Sequence, residues 1–204
     1  MNQPKMNHIT KKKWIIGIGV LLLLFLCIFL FSKQVLNNTP TLKIETPQKI
    51  KISETEEFVI DMTISSLGET IYPAASMSIT FDASRLEFLG VEEGNVFIRN
   101  VEGEIPQKLP DWSCNPEQSN KTGKINIMYL DTTGGRNAFS QELLAEDDNV
   151  VLRLKFRLRG SVRAGDVCDL IFEDAVFAAS DETKSLAMTR NSLKVRNGKI
   201  VIGE

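Results

Sequence analysis

Histidine is nearly absent from this chain of 204 residues, and the only one is His8. The rest of the chain therefore holds no Ser-His or Cys-His nucleophile and no zinc site with a histidine ligand. It also lacks a P-loop and a G-x-G-x-x-G sequence. A carboxylate pair of the glycosidase kind is the one catalytic arrangement that composition leaves open, but Glu92, Glu93 and Glu146 lie in turn-like stretches where solvated charge is the ordinary explanation. We expect no enzyme activity, and no metal or other cofactor on this chain.

Cysteine is scarce as well, since Cys27, Cys114 and Cys168 are the only three. So few cysteines exclude a disulfide-dense scaffold. A disulfide between Cys114 and Cys168 is chemically feasible outside the membrane, but the sequence does not show whether the two lie close enough. The alternative is two independent thiols, with Cys168 buried in a strand.

Aromatic residues and excess positive charge are also in short supply. Beyond residue 32, the tryptophans and tyrosines are limited to Tyr72, Trp112 and Tyr129. This poverty disfavours a glycan-binding platform of exposed rings, although Trp112 keeps a carbohydrate- or cell-wall-binding module open as an alternative. The formal net charge is −2, so nothing points to a nucleic-acid partner.

The chain does contain a long apolar run, residues 14–32, which has no charged residue and directly follows Lys11-Lys12-Lys13. As a helix with ~1.5 Å rise per residue the run is about 28 Å long, close to the ~30 Å of a bilayer core. The preceding lysines orient it with the N-terminus in the cytoplasm. The predicted parts of this single-pass cell-membrane protein are a cytoplasmic tail (1–13), a transmembrane signal-anchor helix (14–32), a short tether (33–41) and an extracellular domain (42–204).

Two other interpretations of this run are weaker. A cleaved signal peptide has a shorter apolar region and an A-x-A-like cleavage site, whereas Ser-Lys-Gln-Val-Leu follows this run. A lipoprotein would use Cys27, but the preceding Leu26 is bulky where a small residue is expected. An uncleaved anchor remains the prediction.

From residue 42 onward, apolar and polar residues alternate with a period of two, as in strands with one buried face. Runs of this kind, separated by glycine-containing turns, predict about nine short strands in an all-β, two-sheet antiparallel sandwich. Asn197-Gly198 predicts a type I′ hairpin turn between the last two strands. Residues 99–122 are interpreted as a long loop or irregular strands, and only residues 139–145 have helical character. The predicted apolar strand positions are Leu42, Ile44, Phe58, Ile60, Met62, Ile64, Met77, Ile79, Phe81, Ile125, Ile127, Tyr129, Leu152, Leu154, Phe156, Leu158, Leu170, Phe172, Val176, Leu193, Val195, Ile200 and Ile202.

Four segments occur in an order and spacing that suggest a known family. In residues 74–94, a strand ends in Phe81-Asp82 and is followed by Leu86, an apolar strand and Gly94. The other segments are residues 124–135, a strand and the loop after it, residues 146–159, an acidic turn and an apolar strand, and residues 197–203, a closing strand. Together they resemble a cohesin domain over about residues 41–203.

The resemblance implies a jelly-roll sandwich of about nine strands that binds a dockerin module and performs no reaction. The implied partner is therefore a dockerin-bearing protein, with calcium on the dockerin and none on this chain. With the lysine-rich flanks, it also suggests a Gram-positive bacterium as the source.

Cohesins bind through one flat sheet face and the loop beside it, and alternation places the matching side chains of this chain away from the core. Exposed apolar groups flanked by polar ones suit a contact surface, unless a loop or flap covers them. The chain departs from the family pattern at Ser76 and Ser78, where many cohesins present Asn or Asp. The predicted partner-binding residues are Ser76, Ser78, Thr80, Asn126, Met128, Leu130, Asp131, Thr132 and Gly135.

Three further hypotheses remain open. The row of Arg153, Lys155, Arg157 and Arg159 is either a basic patch for an acidic partner or, as we favour, a solvated face or a charge-protected edge strand. The oxygen-rich residues 146–149 lack the spacing and the central glycine of an EF-hand loop, so a polar turn is favoured over a calcium site. A structural subunit that adds a strand to an envelope assembly is the third hypothesis.

Overall fold

The alternating runs fold into strands whose apolar side chains share one interior. A computed structural model describes residues 21–22, 39–46, 49–51, 57–97, 112–181 and 186–204. Residues Pro40–Glu204 form one compact unit. Its described residues form the strands β1 (Thr41–Ile44), β2 (Ile50–Lys51), β3 (Phe58–Ile64), β4 (Ala74–Thr80), β5 (Leu86–Glu93), β6 (Trp112–Cys114), β7 (Lys124–Leu130), β8 (Val150–Leu158), β9 (Val167–Ala178), β10 (Lys194–Arg196) and β11 (Gly198–Gly203), the helix α1 (Pro116–Thr122) and a 3-10 turn at Gln141–Leu143.

The strands pair into two sheets, as alternation predicted. The first sheet has the strand order β10-β1-β3-β8-β5, and the second has the order β2-β11-β9-β4-β7-β6. Neighbouring strands run antiparallel, except that β10 lies parallel to β1 and β2 parallel to β11. The two-sheet sandwich is therefore confirmed, with a parallel pair at one edge of each sheet.

The core lies between the sheets and is filled by the inward side chains of the runs. Leu42, Ile60 and Leu154 are among the residues at 0–1% exposure. Two predicted core positions are wrong, Val176 and Val195. An extra residue in β9, opposite the step from Ser78 to Ile79 in β4, shifts the alternation. Val176 therefore points outward, and Val195 lies exposed on the edge strand β10.

The predicted hairpin at Asn197-Gly198 is wrong. Strand β10 belongs to the first sheet and β11 to the second, so the chain crosses between the sheets at this point. The Asn197 Oδ1 accepts a hydrogen bond from the Phe172 backbone N–H at 3.0 Å. A Cβ on Gly198 would lie 2.5 Å from the Cγ2 of Ile44, so this glycine is needed for close approach to β1.

Residues 99–122 were predicted to be a long loop or irregular strands; β6 is a short strand there, and the element after β6 is helix α1. Asn115 caps it by accepting a hydrogen bond from the Gln118 N–H at 3.0 Å, Pro116 begins it, and Gly123 ends it at φ 68°. The Asn120 amide donates to the Phe88 carbonyl and accepts from its N–H, both at 2.8 Å, so the helix covers the edge of β5. The 3-10 turn lies in the stretch predicted to be helical, and residues 99–111 are outside the described residues.

Of the two alternatives for the cysteines, independent thiols are confirmed, because Cys114 and Cys168 are free and Cys168 is buried in a strand. Cys114 lies in β6 and Cys168 in β9, with β7 and β4 between them. Three strand spacings of ~4.8 Å put the two strands about 14 Å apart, well beyond the ~7 Å between Cα atoms that a disulfide allows.

The predicted tail (1–13), most of the predicted membrane span (14–32) and most of the tether (33–41) lie outside the described residues. Of the span, only Leu21 and Leu22 are described, and both are helical. Within the portions of the chain that are described, no helix has the length and apolar character needed to cross a bilayer.

Candidate partner-binding face

The candidate site is the outward surface of β6, β7, β4 and β9, which we call the outer face. It takes its geometry from the strand register. Ser76 lies between Met128 and Val176, and Ser78 lies between Asn126 and Asp174. In the same way, Thr80 lies between Lys124 and Ile171. All six strand residues among the predicted binding residues are therefore brought together on this face.

One end of the outer face is apolar. Met128 is 59% exposed and Leu130 is 62% exposed, so no described flap covers them. Leu130 pairs with Ala74, which in turn pairs with Ala178. Because large apolar side chains left this open tend to mark interaction sites when they are clustered, this end suits a partner's apolar residue.

In the middle of the outer face, the residues of β4 and β7 are polar and uncharged, and the exposed Asp174 of β9 lies beside Ser78, paired with Arg190 at 3.7 Å. The Ser78 hydroxyl donates to the Asn126 Oδ1 at 2.7 Å, and Ser76 is exposed next to it. Lys124 forms an ion pair with Glu173, reaching across Thr80.

The loop after β7 is held by one carboxylate. Asp131 accepts hydrogen bonds from the N–H and hydroxyl of Thr133 at 2.8 and 2.5 Å and from the Gly135 N–H at 2.6 Å. Desolvation on its own raises the pKa of Asp131, but hydrogen bonds from Thr133, Gly135 and Asn137 together outweigh it, so the pKa lies below its ordinary value. Asp131 and Gly135 thus build the loop, and Thr132 is left exposed at its surface.

Sequence reasoning missed the contribution of β6 to the outer face. A groove of about 520 Å³ runs between this strand and the polar middle. Ser113 pairs with Met128, and Asn115 follows in line with Asn126, one position beyond the last paired residue. The groove is lined by Ser76, Met77, Ser78, Ser113, Cys114, Asn115, Asn126, Ile127 and Met128. Alternation of inward Trp112 and Cys114 with outward Ser113 was the available clue, but three residues are too few to establish a period.

Comparison with known proteins shows which solved structures this architecture resembles. Neither the protein-family models nor the curated proteins contain a match. Among solved structures, the sixth cohesin of scaffoldin B from Acetivibrio cellulolyticus, in complex with a mutant Cel5 dockerin, is similar with a TM-score of 0.56 and 20% identity over 81% of this chain and 99% of that chain. The OlpA cohesin of Clostridium thermocellum, also in a dockerin complex, has a TM-score of 0.53 and 18% identity over 81% and 99%. The seventh ScaB type I cohesin of Pseudobacteroides cellulosolvens has a TM-score of 0.53 and 17% identity over 80% and 92%.

The fold is a cohesin fold. At these identities the likeness concerns the fold alone, and the partner of this chain is a separate question.

The aromatic residues of this cohesin fold serve its core. Tyr72 and Tyr129 are each 1% exposed. The Trp112 ring packs 5.2 Å from the Tyr129 ring and 5.9 Å from the Phe139 ring, measured between centroids. Burial, with the nearby carboxylates of Asp131 and Glu93, raises the pKa of Tyr129. No aromatic side chain of the described residues is among the exposed large apolar groups, so the glycan hypothesis lacks its ring platform there.

The predicted basic row does not form a basic patch. Strand β8 lies between β3 and β5, so it is not an edge strand either. Acidic partners on both sides neutralise the row, and Arg159 donates to a backbone carbonyl. The ion pairs are Arg153–Asp61 at 3.1 Å, Lys155–Glu57 at 2.6 Å, Lys155–Glu92 at 3.3 Å, Arg157–Glu57 at 2.9 Å and Arg157–Glu87 at 3.6 Å. The favoured interpretation, an ordinary solvated face, is the correct one.

Residues 146–149 form a turn that is organised by Asn149. This side chain is 2% exposed, accepts from the Ala145 N–H at 2.8 Å and donates to the Ala145 carbonyl at 3.1 Å. Across the part of the chain that is described, no group of three or more His, Cys, Asp and Glu residues is arranged to hold a metal ion.

Proposed function

We propose that residues 41–203 form a non-catalytic docking module that binds a dockerin-bearing protein through the outer face. The observation that carries the proposal is the pair of exposed side chains Met128 and Leu130, set beside the uncharged polar residues of β4 and β7. The similarity to cohesins solved in complex with dockerins supports the choice of partner.

The chemistry of the face fits reversible protein docking. Full burial of a Met or Leu side chain contributes about 1.5–3 kcal/mol each, and these two side chains are adjacent outward residues of one strand, β7. The surrounding hydroxyl and amide groups supply the hydrogen bonds that a partly polar interface needs. Ser76, Ser78, Thr80, Asn126 and Thr132 would make contact, while Asp131 and Gly135 shape the loop beside them.

Calcium enters this proposal through the partner. The dockerin would carry the ion, and this chain would bind none. Chelation is therefore expected to abolish binding without changing the free energy of unfolding of this chain.

Titration calorimetry of the full chain against dockerin modules of the same genome, with calcium present, tests the proposal. We expect binding to at least one of them, weakened at least about tenfold by Met128→Asp, which places a charge on the apolar end of the contact. Val59→Asp is the matched control, because Val59 is 42% exposed on the first sheet. The proposal fails if no dockerin binds, or if both variants weaken binding equally.

We also propose that residues 14–32 anchor this module to the cell membrane with residues 42–204 outside. The uncharged apolar run and the lysines before it support this. External protease should remove the module from intact cells and leave the N-terminal part in the membrane fraction. A secreted chain that begins near residue 33 would indicate a cleaved signal peptide instead.

A further inference from the structure

The groove beside β6 has an unusual composition for a contact surface. Its nine lining residues contain no charged side chain. Its polar groups are two amides, Asn115 and Asn126, and three hydroxyls, Ser76, Ser78 and Ser113. One wall is formed by Met128. The hydroxyls can donate or accept a hydrogen bond, so the hydrogen-bonding direction of the amides sets the preference of the groove.

Both amide oxygens of the groove are already engaged within the chain. The Asn126 Oδ1 accepts from the Ser78 hydroxyl at 2.7 Å. The Asn115 Oδ1 accepts from the backbone N–H of Gln118 at 3.0 Å, and a backbone N–H can only donate, which fixes the orientation of this amide. Among the described residues, neither amide nitrogen has a hydrogen-bond partner. The two NH2 groups thus remain as donors toward the groove.

This arrangement depends on the residue at position 78. A carboxylate there would offer acceptors to a partner. Ser78 instead donates a hydrogen bond to the Asn126 Oδ1. The groove therefore presents the two NH2 donors and has no carboxylate among its lining residues.

We propose that the groove beside β6 receives an oxygen-acceptor group of the docked partner, a carboxylate or a carbonyl, in preference to an ammonium or guanidinium group. The inference rests on the proposed docking function and adds the chemistry of the partner's central contact. Docking removes water from the two NH2 groups, and a donor left unpaired in an interface is costly. A carboxylate is the strongest acceptor for such a pair, because charge-assisted hydrogen bonds are shorter and stronger.

Two variants remove the NH2 donors of the groove and keep the hydrogen bonds that the amide oxygens accept within the chain. In Asn115→Asp and Asn126→Asp, one carboxylate oxygen still accepts from Gln118 or Ser78, while the NH2 donor is exchanged for an acceptor that carries a negative charge. Asp caps a helix as well as Asn does. Asn191→Asp is the matched control, because it makes the same change at an exposed residue outside the groove.

Calorimetry of the full-chain variants against a dockerin that binds the wild type gives the first result. We expect each groove variant to weaken binding at least about tenfold, with Asn191→Asp unchanged. If the wild type binds and both groove variants bind as well or better, the proposal that the groove receives an acceptor group is contradicted, while the docking function stands. If no dockerin binds the wild type, the docking function fails, and the next measurement decides on the groove.

A probe experiment needs no dockerin. Sodium acetate, an acceptor, and methylammonium chloride, a donor, are titrated into the full chain while the side-chain amide NMR signals of Asn115, Asn126 and Asn191 are followed. Acetate should shift the two groove signals and leave Asn191 unchanged, and methylammonium should shift none of the three. A response to methylammonium alone, or no response to acetate, overturns the inference.

Discussion

At the residue scale, Gly198 leaves no room for a larger side chain where the chain crosses between the two sheets. Gly198 lies where the chain passes from the first sheet to the second, against the side chain of Ile44. An added methyl group would meet Ile44 at 2.5 Å and 2.9 Å, closer than packed carbon atoms allow. The crossing thus depends on the missing side chain of this glycine.

We expect Gly198→Ala to lower the free energy of unfolding by about 1–3 kcal/mol, the usual cost of overpacking. Gly160→Ala is the control, because a Cβ there meets nothing within 4 Å, and its effect should stay within about 0.5 kcal/mol. Urea denaturation followed by aromatic circular dichroism measures both. Equal stability of the two variants would contradict the tight crossing.

Asp131 gives the stability of the loop a pH dependence. The folded pKa lies below the ordinary value of 3.8, so the contribution of this carboxylate is complete above that value and is lost as the pH falls through the folded pKa. Asp131→Asn should therefore be less stable than the wild type at neutral pH, and the difference should shrink below pH 3.8. Urea denaturation across this range checks it. Thr132→Ala, which has no titrating group at the changed position, should show a pH-independent difference.

At the scale of elements, α1 protects the open edge of β5. Its Asn120 amide takes the place of a neighbouring strand by pairing with both the N–H and the carbonyl of Phe88. Edge strands without such cover invite pairing with other chains. The helix is therefore part of the sandwich even though it has only seven residues.

We expect Asn120→Ala to cost about 2 kcal/mol of unfolding free energy, because two partly buried hydrogen bonds are lost and both Phe88 groups lose their partner. Glu117→Ala on the same helix should cost about 0.5 kcal/mol or less, since it removes only an exposed ion pair with Lys121. Urea denaturation and the aggregation rate are the measurements. An Asn120→Ala protein as stable as Glu117→Ala would show that the edge needs no cover.

The elements that the sequence predicted well are those that its local pattern determines. The period of two in Phe58–Ile64 and Lys124–Leu130 identified both strands and their inward faces. The capped helix α1 was missed because its seven residues are too few for a helical period, although Asn115-Pro116 and Gly123 mark its ends. The hairpin prediction failed because the partners of β10 and β11 are distant in sequence, and turn chemistry carries no information about them.

In the candidate site too, only the residues whose orientation follows from the local pattern of one strand could be predicted. Ser76, Asn126 and Met128 could be predicted to face outward because alternation within one strand decides it. The contribution of Ser113 and Asn115 could not, because it depends on β6 pairing with β7 across a segment without a period. The outward turn of Val176 follows from a bulge in β9 that only pairing reveals.

At the scale of the whole molecule, the two outward sheet surfaces differ in kind. On the first sheet, acidic side chains of Asp61, Glu87 and Glu92 flank the basic row of β8 on both sides, so charge is balanced locally. On the second sheet, the outward residues in the middle of β4 and β7 are uncharged, and Met128 and Leu130 are open to solvent. A balanced, strongly hydrated surface resists association, whereas exposed apolar groups favour it. We therefore place the proposed docking surface on the second sheet alone.

The most direct test uses the methionine methyl groups of the full chain, isotope-labelled for NMR. Met128 is 59% exposed on the outer face, while Met62 lies buried under the first sheet at 0% exposure. When a calcium-loaded dockerin of the same genome is added, the Met128 signal should shift and become shielded from a soluble paramagnetic agent, and the Met62 signal should stay unchanged. A dockerin that binds while Met128 remains unshifted and fully accessible would contradict the account.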